Sequence, residues 1–143
     1  INVGNERRFT TFNQKETADV GVAAYRFIAD GSTSNVNFNL YGGDGEVFLI
    51  KDNGSLDVTR VEIATMGREL RKGTYGEVVE RARGPRSTSE PTRVSWDLAS
   101  FDGQPLAFVV IDDLVGQSNV DVEEVYESLR NFLRFITSNI CEE

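Results

Sequence analysis

The chain has 143 residues, 39% hydrophobic and 27% charged, a length that supports one domain over 1–143 and excludes a multidomain machine. Its longest apolar run, Leu106 to Ile111, falls far short of the roughly 20 residues that span a bilayer, so no membrane partner is expected. The net charge of −8 opposes a polyanion overall, but residues 1–93 hold 13 basic and 13 acidic side chains, and the acidic excess lies wholly in 94–143.

From the N-terminus, turn signals recur at short intervals: Gly31-Ser32, Gly42-Gly43-Asp44-Gly45, Asp52-Asn53-Gly54, Lys72-Gly73, Gly84-Pro85 and Asp102-Gly103. Between them lie segments rich in Val, Phe, Ile, Thr and Tyr, which predict strands near 7–14, 19–29, 34–41, 46–51, 57–68, 74–83, 92–100 and 105–114. Gly67 and the Gly73/Gly76 pair suggest a bend between the fifth and sixth. After Gly116-Gln117-Ser118 the period changes. Val122, Val125, Tyr126, Leu129, Phe132, Leu133 and Ile136 recur at steps of three and four, which predicts an amphipathic helix over about 119–138. Ser118 or Asn119 would cap it, with Asp121, Glu123 and Glu124 in its first turns and Arg130 and Arg134 in later ones. The expected class is therefore α+β: an antiparallel meander over 1–116, then a helical region over 117–143.

Parity sorts each strand into two faces. Val36, Phe38 and Leu40 oppose Asn35, Asn37, Asn39 and Tyr41; Val94, Trp96 and Leu98 oppose Arg93, Ser95, Asp97 and Ala99. Read as a strand, 58–68 sets Val61, Ile63 and Thr65 against Arg60, Glu62, Ala64, Met66 and Arg68. Asn is a poor strand former, so three on one strand face need a reason beyond solvation. Together with Arg and Tyr they supply hydrogen bonds and stacking to bases and phosphates. Arg81 and Arg83 share a parity and extend that surface, within a stretch, 58–93, that is locally +3. The helical stripe exceeds what one sheet covers, and a dimer that swaps helices across a continuous sheet would bury both stripes and pair edge strands; a monomer with the helix on its own sheet is the competing arrangement.

Other motifs fail. Asp52-Asn53-Gly54-Ser55-Leu56-Asp57 lacks the EF-hand spacing and reads as a hairpin turn. Gly42-Gly43-Asp44-Gly45 lacks the helix and Lys of a phosphate loop, Ser87-Thr88-Ser89-Glu90-Pro91 is a polar loop, and Asp112-Asp113 reads as an exposed strand end. With no histidine, the usual general base, metal ligand and Ser/His or Cys/His couples are missing, so no enzyme, metal or cofactor is expected. The lone Cys141 excludes an internal disulfide and favours a reducing compartment. No basic segment followed by an apolar stretch precedes Val20, so no signal peptide is expected.

The stretch Ala107-Phe108-Val109-Val110-Ile111-Asp112-Asp113-Leu114-Val115-Gly116, followed by Val122-Glu123-Glu124-Val125-Tyr126-Glu127-Ser128-Leu129-Arg130-Asn131-Phe132-Leu133, resembles the final strand and first helix of single-stranded RNA bacteriophage coat proteins. That resemblance implies a homodimer with helices interlocked through Val122, Val125, Tyr126, Leu129, Phe132, Leu133 and Ile136, assembling into an icosahedral shell around single-stranded RNA. It implies a virion protein assembled in the host cytoplasm, contacting RNA through the sheet face that carries Asn35, Asn37, Asn39, Tyr41, Arg60, Arg68, Arg93 and Ser95, with Arg81 and Arg83 extending it. The alternative is a non-viral β-rich module that recognises a carbohydrate or protein through Tyr41, Trp96 and loop acids. A carboxylate enzyme is the third reading, for which no acid pair stands out.

Overall fold

The computed structural model describes residues 2–3, 11–15, 20–29, 35–41, 45–59, 62–83, 90–112 and 121–126. In these the class is α+β, mostly antiparallel sheet with one helix. The elements are β1 (Asn2–Val3), β2 (Thr11–Lys15), β3 (Val20–Ile28), β4 (Asn35–Tyr41), β5 (Glu46–Lys51), α1 (Ile63–Lys72), β6 (Val78–Arg83), β7 (Thr92–Asp97), β8 (Pro105–Asp112) and β9 (Asp121–Tyr126), with a short 3₁₀ turn at Ala99–Phe101.

The strands form two sheets rather than one meander. One has the order β1-β9-β4-β7 and the other β2-β3-β8-β5-β6, and every pairing is antiparallel except that of β1 with β9. Chain neighbours pair only in β2–β3 and β5–β6; the ladders β3–β8, β5–β8, β4–β7 and β4–β9 are long-range. Alternation tells which face a residue takes but not which strand lies beside it, and so a meander was the wrong expectation.

Two cores follow from this layering. Between the sheets lie Ala23, Tyr25, Val36, Phe38, Leu40, Val47, Leu49, Trp96, Leu106, Phe108, Val110 and Val122. Phe38 meets Trp96 and Phe108 edge-on, with ring centroids 5.1 and 5.2 Å apart. On the other side of the five-stranded sheet, Val22, Ala24, Phe48, Ile50, Ala107, Val109 and Ile111 pack against Leu56, Val58, Ile63, Met66, Leu70 and Tyr75. That sheet is covered on both faces, and its central strand β8 is buried from Leu106 to Asp112. An unbroken apolar run is what such a strand requires. Asp112, read as an exposed strand end, is fully buried.

The strand expected over 57–68 is a correction: Val58-Thr59 form a turn and 63–72 is α1. Ile63, Met66, Gly67 and Leu70 are its buried residues, at helical steps. Ile63, Thr65 and Gly67 are weak helix formers, together costing about 2 kcal/mol against Ala. Burying Ile63, Met66 and Leu70 contributes roughly 1.5–3 kcal/mol each, which decides in favour of the helix. It ends in a Schellman motif: Gly73 is left-handed (φ 82°), and the N–H groups of Gly73 and Thr74 donate to the carbonyls of Leu70 (3.1 Å) and Glu69 (3.0 Å). Arg71 and Lys72 occupy the last turn, where the helix dipole favours cations. Gly73→Ala should cost about 1 kcal/mol, because a side chain in that conformation is disfavoured while its Cβ would meet nothing closer than 3.6 Å. Urea unfolding checks this, and a neutral variant would refute it.

The helix expected over 119–138 is also corrected where the structure describes it. Residues 121–126 are strand β9, which pairs with β4, and Val122 is buried between the sheets. Asn39 stands opposite Glu123 but Asn37 opposite Tyr126, so β9 carries one extra residue, a bulge. Leu129, Phe132, Leu133 and Ile136 lie outside the described residues, as do 7–10, 113–114 and Cys141.

A candidate recognition face on the four-stranded sheet

β4 alternates as parity predicts: Val36, Phe38 and Leu40 are fully buried and Asn35, Asn37, Asn39 and Tyr41 half-buried on the outer face. β7 lies beside it in a register that sets Asn35 opposite Asp97, Asn37 opposite Ser95 and Asn39 opposite Arg93. Arg93, Ser95 and Asp97 are exposed, and Arg93 Nη1 donates to Asn39 Oδ1 at 3.1 Å. On the other flank, β9 sets Glu123 opposite Asn39 and Asp121 opposite Tyr41. Asp97 is engaged locally, since its Oδ1 accepts the Ala99 N–H at 2.9 Å and starts the 3₁₀ turn.

Six of the ten residues expected to form one surface are therefore adjacent: Asn35, Asn37, Asn39, Tyr41, Arg93 and Ser95. The others are not with them. Arg68 is exposed on α1 and donates to Thr65 Oγ1 (3.3 Å); Arg81 and Arg83 are on β6, in the other sheet; Arg60 lies outside the described residues. Trp96 is 6% exposed and packed against Phe38 and Phe108, so it is a core residue and not a ligand-stacking one. From β4 and β7 the face carries amides, a hydroxyl, a phenol, the Arg93 guanidinium and the Asp97 carboxylate, a dense set of hydrogen-bonding groups whose two charges are of opposite sign.

Arg81 and Arg83 instead meet Glu46, the first residue of β5, whose side chain is 0% exposed. Glu46 Oε1 accepts from Arg71 Nε (3.0 Å), Arg71 Nη2 (2.8 Å) and Arg83 Nη2 (3.2 Å), while Arg81 Nε donates to Oε2. Burial alone would push the Glu46 carboxyl up; the bonds from Arg81 and Arg71, the Arg71 charge and the Arg83 bond outweigh it and hold the group below the ordinary glutamate value. Sequence reasoning missed Arg71 and Glu46. Arg71 is traceable only once 63–72 is read as a helix, and Glu46 has no local signal at all.

The 52–59 segment is a turn but not a hairpin, since it leads from β5 to α1. Its acids are engaged: Asp52 pairs with Arg26 at 3.0 Å and accepts the Gly54 N–H at 2.9 Å, and Asp57 accepts the Thr59 N–H at 3.1 Å. Among the described residues no three Asp, Glu or Cys side chains converge to hold a metal ion, and no helix is long and apolar enough to cross a membrane.

No protein family, curated protein or solved structure matches the chain.

Proposed function

We propose that the chain is a non-catalytic recognition module that binds a neutral, polyhydroxylated ligand of the carbohydrate class on the outer face of β4 and β7. The observation that carries this reading is the row Asn35, Asn37, Asn39 beside Ser95 and Arg93. Amide side chains carry a propensity cost in a strand, and an amide combines a donor and an acceptor as a pair of sugar hydroxyls does. A polyanion calls for several cations, and among the described residues this face has Arg93 alone from β4 and β7. Asn37→Ala with Asn39→Ala should leave the unfolding midpoint within a few degrees of the parent and weaken ligand binding by about tenfold or more, since two to four hydrogen bonds of about 1 kcal/mol each are lost. A glycan array followed by titration calorimetry measures it. No glycan binding by the parent, or undiminished binding by the double variant, would sink the reading.

A coat-subunit function is the second reading. It is supported by the same face, which groups six of the residues that the coat-protein resemblance assigns to RNA, and by the apolar spacing Leu129, Phe132, Leu133 and Ile136, which suits an interlocked helical dimer. It implies a virion protein assembled in the host cytoplasm. Light-scattering chromatography with the 260/280 nm absorbance ratio separates the two. A megadalton, nucleic-acid-rich particle establishes the coat reading, and a small RNA-free species removes it.

A further inference from the structure

Asn53-Gly54 is the one Asn-Gly pair in the chain, and it lies in the exposed turn that leads from β5 toward α1. An asparagine followed by glycine is prone to deamidation, because no side chain hinders the next backbone nitrogen as it closes a ring on the side-chain amide carbon. The structure assigns Asn53 as a latent modification site: hydrogen bonds of the folded turn hold its amide, and opening of the turn releases it to a reaction whose product no longer fits.

Asn53 Nδ2 donates to the carbonyl of Thr74 at 2.9 Å, and Asn53 Oδ1 accepts the Ser55 N–H at 3.0 Å and the Ser55 hydroxyl at 2.5 Å. A carbonyl oxygen only accepts and a backbone N–H only donates, so one orientation of the amide satisfies both neighbours. The backbone is held as well. The Asn53 N–H donates to the Tyr75 carbonyl at 3.1 Å and the Gly54 N–H to Asp52 Oδ1 at 2.9 Å, while Asp52 is itself paired with Arg26.

In deamidation the Gly54 nitrogen bonds to Asn53 Cγ and gives up its proton, the Cγ–Nδ2 bond breaks, and Nδ2 leaves with that proton as ammonia. Water then opens the cyclic imide at either carbonyl, which yields an aspartyl or an isoaspartyl residue at position 53. The turn opposes the first steps. A carboxylate holds the Gly54 proton, and its charge disfavours negative charge developing on that nitrogen. Attack makes Cγ tetrahedral and tilts Oδ1 and Nδ2 out of the plane in which both are bonded. Water is not withheld, because Asn53, Gly54 and Ser55 are all exposed. Protection therefore rests on the bonds alone, and the rate of modification follows the fraction of molecules in which the turn is open.

The product does not reclose. An aspartyl side chain sets an anionic oxygen against the Thr74 carbonyl oxygen, where Nδ2 had donated, and beside the charge of Asp52. An isoaspartyl link lengthens the main chain within the turn. Either one removes the Asn53 side-chain tie to the turn between α1 and β6.

The test is peptide mapping by mass spectrometry of the full chain, held at mildly alkaline pH in buffer and in urea above its unfolding midpoint, with Ser55→Ala in buffer as a third sample. Conversion at Asn53 should be about tenfold or more slower in the folded parent than in urea, and about threefold or more faster in folded Ser55→Ala than in the folded parent. Equal rates in the folded and unfolded parent, conversion in neither, or a Ser55→Ala rate equal to the parent's overturns the proposal. Asn53→Asp tests the product directly: its urea midpoint should lie below the parent's, and an equal or higher midpoint overturns the proposal too. Should Ser55→Ala fail to fold, the parent comparison and Asn53→Asp carry the test.

Discussion

Gly76→Ala should destabilise the protein by about 4 kcal/mol, a large part of the roughly 5–15 kcal/mol that separates folded from unfolded states of domains this size. Gly76 sits in the turn between α1 and β6 with φ 135°, and a Cβ there would stand 1.6 Å from the carbonyl oxygen of Lys51 and 2.7 Å from its carbon. No side-chain rotation relieves a clash with backbone. The turn cannot back away cheaply either, because it is tied to the end of β5 by Lys51 N–H to Glu77 O (2.8 Å) and Asn53 N–H to Tyr75 O (3.1 Å). Relief means giving up those bonds and part of the β5–β6 ladder. Gly73, three residues earlier, has a positive φ but room for a Cβ, so the two alanine variants separate backbone strain from steric exclusion. Urea unfolding of both should place Gly76→Ala well below Gly73→Ala. Similar midpoints would show that the close approach of Gly76 to Lys51 is wrong.

Glu46→Gln should cost about 2 kcal/mol at neutral pH and should do so through charge. Removing one partner from a buried ion pair typically costs about 3–5 kcal/mol because the other charge stays buried. Here the partners left behind are the arginines, 30% to 61% exposed, which can turn toward water and reduce the loss. The pH dependence follows from the lowered Glu46 pKa. A carboxyl whose folded value is depressed stabilises the fold above its unfolded value, about 4.5, and that stabilisation disappears as pH falls through the folded value. The gap in unfolding free energy between parent and Glu46→Gln should therefore be widest above about pH 5 and close progressively at lower pH, while the remaining acids act alike in both proteins. Denaturant titrations at several pH values measure the gap. A gap independent of pH would mean that Glu46 acts by shape and hydrogen bonding alone.

The outer face of β4 and β7 and the Glu46 cluster differ in how visible they were. Alternation of Val36, Phe38 and Leu40 with Asn35, Asn37, Asn39 and Tyr41, and of Val94 and Trp96 with Arg93 and Ser95, follows from the pleat, so the inner and outer residues of β4 and β7 were legible residue by residue. That the two strands are neighbours, with Asn39 beside Arg93, was not, because 54 positions separate them. The Glu46 cluster was less visible still. It joins β5, α1 and β6, and the helix that supplies Arg71 was concealed by Val61, Ile63 and Thr65, whose alternation imitates a strand.

The sequence by itself determined most strand positions, the polarity of each face of β4 and β7, the turns and the absence of histidine chemistry, all of which depend on neighbours a few positions apart. Only the tertiary structure decided that the strands divide between two sheets, that β8 is covered on both faces, that 63–72 is a helix and that 121–126 is a strand. In each of those cases local preference is nearly balanced, and the outcome rests on which distant apolar surface is there to be buried. Ile63, Met66 and Leu70 form a helix because Phe48, Ala107 and Val109 present a sheet face to cover, and Val122 lies in a strand because Leu40 stands opposite it.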